Sequence, residues 1–350
     1  MGKFTQLGQL IMAGIPGREI DESTLRLIAE LGLNNFIVFR RNVESPGQLR
    51  RLCADLKEAC ARHDLPVPLI SIDQEGGTVA RLPLPFTQFA DARQLAASAD
   101  PAAALADYAT TCAAELAGAG INMNLAPVLD VCPAGQGFFM EKRSLGDDPQ
   151  AVGRLGSLVI RNLQAGGVAA CGKHFPGLGA AKLDPHLQLP VVSRSAAGIR
   201  KVDLVPFQKA IEADVAAIMT SHTIYENLDA ATPATLSRYI LTDLLRNELG
   251  FAGLIITDDL EMGAIENERS VADAAFQAFA AGADMMLICH GHEKVRLAHA
   301  RLMAAVQDGQ LSEGRCADSL QRVEAVRRRF AAQPEKTRNH ERMVEPKKII

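Results

Sequence analysis

Eight short apolar segments, each as long as a β-strand, are the feature of this sequence that most restricts its fold. They alternate with longer segments in which apolar residues recur at helical spacing, such as 22–32, 45–64, 149–167 and 270–284. Strands that are apolar almost throughout are typical of a parallel sheet buried on both faces. The pattern predicts an α/β fold, a (β/α)8 TIM-type barrel in a single domain, with a doubly wound open sheet as the alternative. The predicted strands are 9–15, 34–39, 67–73, 121–131, 168–175, 216–222, 253–259 and 284–290.

Polar residues end nearly every predicted strand, and this favours the barrel over the open sheet. In a barrel, the carboxyl ends of all eight strands meet at one face, where active sites are built. An open sheet would spread the same ends along a line. The residues concerned are Arg40–Asn42, Asp73–Glu75, Asp130, Lys173–His174, Ser221–His222, Asp258–Asp259 and His290.

Length and composition favour one soluble domain that does not bind nucleic acid or a membrane. The 350 residues include no linker rich in Pro or Ser, so we expect a domain at 1–330 and a polar C-terminal tail at 331–350. The net charge of −4 gives no electrostatic case for nucleic acid or an anionic membrane. With 5% aromatic residues and no Trp, the chain does not resemble an aromatic-rich carbohydrate-binding module.

The cysteines and the apolar segments indicate a cytoplasmic location. The seven cysteines form no C-x-x-C pair and lie mostly in apolar segments, as expected for buried thiols in a reducing compartment. The N-terminus lacks the length and flanks of a signal peptide. No apolar run reaches the ~18 residues that a membrane span needs. We expect the chain to act as a monomer, although the sequence does not determine the oligomeric state.

Two adjacent carboxylates, Asp258 and Asp259, end the predicted strand at 253–259. Since side chains alternate along a strand, only one of the two can enter the mouth of the barrel. That carboxylate could be a nucleophile, a base or a metal ligand. The alternative is that an Asp at this position caps the following helix.

The segment 71–82 places Asp73, Gly76–Gly77 and Arg81 after another strand. A carboxylate and a guanidinium together suit the recognition of sugar hydroxyls, and the glycines allow a sharp turn or a close approach. An ordinary βα turn with a salt bridge is an equal alternative. Arg143 lies on a loop before a helix expected to begin near Pro149, and by itself it is only suggestive.

The segment after Lys173–His174 runs for about 20 residues without a regular pattern, up to a helix near Ser195. It contains Asp184 and His186 on either side of Pro185. A proline favours extended backbone at the residue before it, so both side chains can lie on one side and Asp184 can orient the imidazole. A catalytic pair and a simple turn are equally compatible with this triplet.

Cofactor and metal patterns are not evident. The chain has no H-E-x-x-H motif, no four-cysteine zinc pattern, no P-loop and no G-x-S-x-G elbow, and the His-Gly-His at 290–292 lacks obvious partner ligands. We therefore expect no metal and no organic cofactor.

Taken together, the motifs resemble those of the family 3 glycoside hydrolases, specifically the single-domain bacterial β-N-acetylglucosaminidases (β-hexosaminidases). The resemblance extends from about residue 5 to 330 in the same order. It rests on "LGQLIMAGIPG", "DQEGG", "APVLDV", "KRSLGDDP", "KHFPGLG", the Asp-x-His at 184–186 and "GFAGLIITDDLEMGAI".

The resemblance implies roles for eight residues. Asp258 would be the catalytic nucleophile, His186 the acid/base and Asp184 the partner of His186. It also implies retaining hydrolysis through a covalent glycosyl-enzyme, without metal or cofactor, of N-acetylglucosamine β-linked to muropeptides during peptidoglycan recycling. The residues expected to bind the terminal sugar are Asp73, Arg81, Arg143, Lys173 and His174.

The sequence departs from the family pattern on the acid/base loop. The family usually has "FPGHGDTxxDSH", and Arg where Thr78 stands, so polar groups are lost while Asp184, His186 and Asp258 remain. A family enzyme for another sugar, such as a β-glucosidase, is one alternative, although those usually take their acid/base from a second domain. A non-catalytic sugar-binding protein is another. The loop substitutions are Leu178, Ala180, Ala181 and Pro185.

Overall fold

Eight parallel strands close into a barrel, which confirms the predicted fold. The computed structural model describes residues 6–181 and 188–331. The barrel strands are β1 (Ile11–Gly14), β2 (Asn35–Val38), β3 (Leu69–Ile72), β4 (Met123–Asn124), β5 (Ala169–Phe175), β7 (Ala217–Thr220), β9 (Leu254–Asp259) and β10 (Met285–Ile288). They follow the order β1-β10-β9-β7-β5-β4-β3-β2 around the barrel, and every neighbouring pair is parallel. Their carboxyl ends therefore point to the same face.

Local signals in the sequence set the ends of the surrounding helices. Ser45 and Asp148 accept hydrogen bonds from backbone N–H groups three residues on, and a proline follows each of them. Gly32 ends the first helix with a φ of 69°, which costs a glycine little. The α-helices are α1 (Glu22–Leu31), α2 (Pro46–Arg62), α3 (Ala92–Ala96), α4 (Pro101–Ala119), α5 (Pro149–Ala165), α6 (Ala196–Gly198), α7 (Leu204–Glu212), α8 (Gly263–Glu266), α9 (Val271–Ala281), α10 (His292–Gln307) and α11 (Glu313–Phe330). Short 3-10 helices span Leu7–Leu10, Arg40–Asn42 and Ala234–Leu236, and π-helical turns span Ile199–Asp203 and Tyr239–Glu248.

The fourth strand is much shorter than predicted. Only two residues of the apolar segment 121–131 form β4, because Pro127 has no N–H to donate to the ladder. The chain nevertheless stays beside β5, where the Leu129 N–H donates to the Lys173 carbonyl over 2.6 Å. The segment thus delivers Asp130 to the same face as the regular strands.

A small second sheet lies outside the barrel and was not predicted. β6 (Val191–Val192) pairs in parallel with β8 (Ile224–Tyr225), where the sequence suggested no regular structure before the helix near Ser195. Segments of two residues carry no recognisable periodicity, which explains the omission.

All seven cysteines are buried and free, and burial raises the pKa of the Cys53, Cys60 and Cys171 thiols to about 12. Within the two described ranges, no helix is both long and apolar enough to cross a membrane. Except for Ala331, the predicted tail at 331–350 lies outside the described residues.

Asp284, immediately before β10, joins the barrel to the outer helices at the face opposite the active-site end. Its fully buried carboxylate accepts hydrogen bonds from Ser319 over 2.6 Å and Arg246 over 2.7 Å. Arg315 and Arg322 lie at 3.4 and 3.1 Å from the same group. One buried carboxylate is therefore the shared ion-pair partner of three guanidinium groups, which belong to two helices.

We expect Asp284→Ala to lower the free energy of unfolding by about 3–5 kcal/mol, because it leaves buried cationic groups without their partner. Denaturant unfolding followed by circular dichroism measures the change. Asp318→Ala is the matched control, since Asp318 is an exposed residue of α11, and it should leave the midpoint unchanged. Equal stability of the two variants would show that Asp284 does not hold the helices in place.

Candidate active site

A cavity of about 750 Å³ opens at the carboxyl ends of the barrel strands. Six of the eight predicted site residues line it together. Asp184 and His186 lie outside the described residues, so the structure says nothing of their position. The six residues are Asp73, Arg81, Arg143, Lys173, His174 and Asp258.

Asp258 lies at the end of β9 and is half-buried on the cavity wall. Its Oδ1 accepts the backbone N–H of Asp259 over 2.9 Å. Burial raises the pKa of Asp258, but the nearby His174, His222 and Lys173 more than offset this, so the pKa lies below its ordinary value. The carboxylate is therefore held in the ionised form that a nucleophile requires.

Asp259 faces away from the cavity, as strand alternation predicts. Its Oδ1 accepts backbone N–H groups from Glu261 over 3.1 Å and Cys289 over 3.2 Å. Burial raises the pKa of Asp259 to about 7. The helix α8 begins after Met262, so Asp259 ties β9 to the end of β10 and does not act as its N-cap.

Lys173 is a deeply buried charge of the site, with 2% of the residue exposed. Its Nζ lies 2.7 Å from the Asp73 carboxylate and 2.6 Å from that of Glu75. Burial lowers the pKa of Lys173, but these two carboxylates more than restore it, and the net pKa is raised. An ammonium held between two acceptors fixes both the end of β5 and the turn after β3.

Glu75 is a site residue that the sequence analysis missed. It accepts two hydrogen bonds from the Arg143 guanidinium, over 2.8 and 2.9 Å. Burial raises the pKa of Glu75, but Arg143 and Lys173 hold it well below its usual range. The signal was present in "DQEGG", where Glu75 follows Asp73 by two residues.

Asp130 is the second residue that the sequence analysis did not place in the site. It is fully buried, and its Oδ2 lies 2.7 Å from His174 Nδ1. Arg143 approaches His174 Nε2 to 3.5 Å, and a guanidinium can only donate. The pair is therefore satisfied when Nδ1 carries the proton and donates it to Asp130.

The turn after β3 requires both glycines of "DQEGG". Gly76 and Gly77 have φ of 98° and 53°. A Cβ on Gly76 would lie 2.7 Å from the Ala90 carbonyl oxygen. Gln74 braces the turn, since its Oε1 accepts the Arg81 N–H over 2.8 Å. This places Arg81 so that its guanidinium lies 3.6 Å from Asp73.

The substituted positions at the start of the segment after β5 are apolar for a structural reason. Leu178 and Ala181 are buried in the hydrophobic core, with 2% and 0% of their surface exposed. The Leu178 N–H donates to Asp130 over 2.6 Å. Packing and a backbone hydrogen bond therefore hold this part of the segment.

Side chains that could ligate a metal are dispersed in the described part of the chain. Across residues 6–181 and 188–331, no three His, Cys, Asp or Glu side chains are grouped to hold a metal ion. His292 of the His-Gly-His segment contacts the Gly14 carbonyl and the Ser23 hydroxyl through its two ring nitrogens.

Comparison with known protein families identifies the architecture. The model of the glycosyl hydrolase family 3 N-terminal domain matches residues 3–326. The chain belongs to glycosyl hydrolase family 3. It is a glycoside hydrolase, as the sequence predicted. A β-hexosaminidase of Nitrosomonas eutropha is 37% identical over 287 residues, which cover 80% of each chain.

Solved structures of family 3 enzymes superpose closely. A β-N-acetylglucosaminidase from Paenibacillus sp. matches with a TM-score of 0.90 and 38% identity, covering 99% of this chain. This hydrolase spans about two thirds (66%) of the Paenibacillus chain. NagZ from Neisseria gonorrhoeae, solved with N-trifluoroacetyl-D-glucosamine, matches with a TM-score of 0.74 and 28% identity, covering 91% of this chain and 98% of that one.

Asp130→Asn should lower kcat/KM by about 10- to 100-fold while leaving the fold intact, because the amide cannot hold His174 in the same tautomer. Hydrolysis of a chromogenic glycoside measures the loss, and ¹⁵N NMR of the imidazole reports the tautomer. Asp147→Asn changes an exposed residue of the neighbouring loop and should retain full activity. An unchanged tautomer and rate would contradict the assigned role of Asp130.

Asp259→Asn should flatten the pH dependence of stability. The folded-state pKa of about 7 lies above the ordinary value of 3.8, so stability is fully present below pH 3.8 and falls as the pH rises to 7. The difference between wild type and variant should reach ~2–4 kcal/mol across this window. Urea unfolding at three pH values spanning the window measures it. Asp243→Asn, at an exposed helix position, should follow wild type, and parallel profiles for Asp259→Asn would refute the raised pKa.

Proposed function

We propose that this hydrolase is a retaining exo-β-N-acetylglucosaminidase. The observation that carries the proposal is Asp258, a carboxylate kept ionised at the end of β9, in a cavity that is large enough for a sugar and is also lined by Lys173 and Arg143. The names of the relatives support the same activity, since they are β-hexosaminidases and β-N-acetylglucosaminidases.

In the proposed first step, Asp258 attacks the anomeric carbon and forms a covalent glycosyl-enzyme. The bond to the leaving oxygen breaks, and His186 donates a proton to that oxygen. The lowered pKa of Asp258 favours the anion that attacks. Placement of His186 in this role rests on the match of the segment 173–186 to the family motif.

In the second step, His186 removes a proton from water, which attacks the same carbon and releases Asp258. Asp184 is proposed to orient the imidazole through one ring nitrogen. A histidine with an ordinary pKa near ~6.5 can serve as acid and then as base around neutral pH. Two inversions at one carbon give a product of retained configuration.

The polar floor of the cavity suits the terminal sugar. Asp73 offers carboxylate oxygens, while Lys173 and Arg143 offer charged donors. Their mutual ion pairs fix them in position before substrate arrives, so little side-chain entropy remains to be lost on binding. We propose that Arg81 and His174 complete the set, with His174 oriented by Asp130.

We further propose that the natural substrates are muropeptides carrying a terminal β-linked N-acetylglucosamine, and that hydrolysis serves peptidoglycan recycling in the cytoplasm. The seven free, buried cysteines support a reducing compartment. Fractionation of cells and activity measurement in each fraction tests the location.

The decisive experiment compares wild type with Asp258→Ala and His186→Ala on 4-nitrophenyl β-N-acetylglucosaminide and β-glucoside. Wild type should prefer the N-acetylglucosaminide, and each variant should lose at least ~100-fold in kcat/KM because a nucleophile or a general acid is missing. Absence of wild-type turnover on both glycosides would overturn the proposal, as would full activity of Asp258→Ala.

The stereochemistry needs a separate measurement. Proton NMR of the first product should show the β-anomer of N-acetylglucosamine, and mass spectrometry with a slow fluorosugar substrate should locate the adduct on the peptide containing Asp258. A first product of α-configuration would exclude the double-displacement mechanism.

A further inference from the structure

His222 is a polar residue at the carboxyl end of the barrel to which the proposed function gives no role. It follows the last residue of β7 by two positions and is almost fully buried, with 1% of the residue exposed. Polar strand ends were expected to meet at the active site, but His222 is not one of the described residues that line the cavity. Its ring therefore acts through the protein groups that it contacts.

The paired register of β7 and β9 stops before the carboxylate proposed to attack the sugar. It ends at Met219 and Ile256, two residues before Asp258. Beyond that point the His222 side chain joins the two segments, since its Nε2 lies 2.9 Å from the Asp259 carbonyl oxygen. A side chain thus supplies the connection where the pairing of the two strands has ended.

The chemistry of the two groups fixes the direction of this hydrogen bond. A carbonyl oxygen only accepts, so His222 Nε2 carries a hydrogen and donates it. The other ring nitrogen, Nδ1, lies 2.8 Å from the buried Thr235 hydroxyl, which can either donate or accept. The same hydroxyl lies 3.0 Å from the Ser221 carbonyl. The ring is therefore held at both nitrogens, and Nε2 donates to Asp259 whether or not Nδ1 is also protonated.

Asp259 connects His222 to the Asp258 carboxylate. Its backbone N–H donates to Asp258 Oδ1 over 2.9 Å, and its carbonyl accepts from His222. On the opposite side, its own carboxyl group accepts the backbone N–H of Cys289, which follows β10, over 3.2 Å. The residue that orients the Asp258 carboxylate is therefore held from both neighbouring strands, from β7 by His222 and from β10 by Cys289.

His222 is also close enough to Asp258 to affect its charge. Burial raises the pKa of Asp258, whereas His174 and then His222 lower it. His174 lines the cavity, while His222 is outside the set of described residues that do so. The influence of His222 on Asp258 therefore does not require contact with the sugar.

We propose that His222 is a positioning residue, which holds the Asp259 backbone so that the Asp258 carboxylate is aimed at the anomeric carbon. The proposal rests on the proposed function, because it takes Asp258 as the nucleophile. A misplacement of about 1 Å in a reacting group costs on the order of 100-fold in rate. Loss of the His222 donor should therefore slow the attack on the sugar and leave the binding of the sugar unchanged.

Two substitutions distinguish the ring nitrogens, because the amide nitrogen of Gln can replace Nε2 and that of Asn can replace Nδ1. His222→Asn should lower kcat/KM for 4-nitrophenyl β-N-acetylglucosaminide about 10- to 100-fold, and His222→Gln should stay within about threefold of wild type. The inhibition constant of free N-acetylglucosamine reports sugar binding and should stay within about twofold in both variants. His299→Asn replaces a partly buried histidine of α10 outside the cavity and should change neither quantity.

A measurement on wild type makes the test independent of how well the variants fold. In ¹⁵N NMR at neutral pH, the His222 resonances should show a protonated Nε2, and an unprotonated Nε2 would overturn the proposal. Full activity of His222→Asn, equal losses in the Asn and Gln variants, or an inhibition constant that rises in parallel with the loss of kcat/KM would also overturn it. Failure of the proposed function is distinct, since wild type would then not hydrolyse the glycoside or Asp258→Ala would remain active.

Discussion

The ammonium of Lys173, buried between the carboxylates of Asp73 and Glu75, is the interaction on which the site depends. This interaction joins β5, which carries Lys173, to the turn after β3, which carries the two carboxylates. In the barrel, β4 lies between these two strands. Glu75 then holds Arg143 through two hydrogen bonds. Loss of any one of these charges would remove a partner from a buried ion pair, so the group is fixed as a unit.

Asp258 and Asp259 are adjacent on β9, but their pKa values are shifted in opposite directions. Asp258 faces a cavity in which nearby cationic groups lower its pKa. Asp259 faces the protein interior, where burial raises its pKa to about 7. The alternation of a β-strand places them in these two environments. One carboxylate is therefore available for chemistry at neutral pH, while its neighbour serves the packing of β9 against β10.

Periodicity and polar strand ends were sufficient to predict the barrel, and the resemblance to the family indicated the six site residues that the structure brings to one face. Apolar runs of strand length separated by helices carry that information at every repeat. The small β6-β8 sheet was missed because two-residue segments have no recognisable period. The shortening of β4 was missed because it depends on one proline that interrupts the hydrogen-bond ladder. Glu75 and Asp130 were not assigned to the site because their importance arises from partners distant in sequence. The pairing of Asp184 with His186 stays a prediction, since both lie outside the described residues.

The Asp130 carboxylate connects β5 to the start of the segment that follows it. Its Oδ2 faces the His174 imidazole, while its Oδ1 accepts the backbone N–H groups of His174 over 3.3 Å and Leu178 over 2.6 Å. A change that draws Leu178 away would therefore remove a hydrogen bond from the anion that orients the His174 ring. The orientation of His174 and the start of the segment after β5 thus depend on a single shared anion.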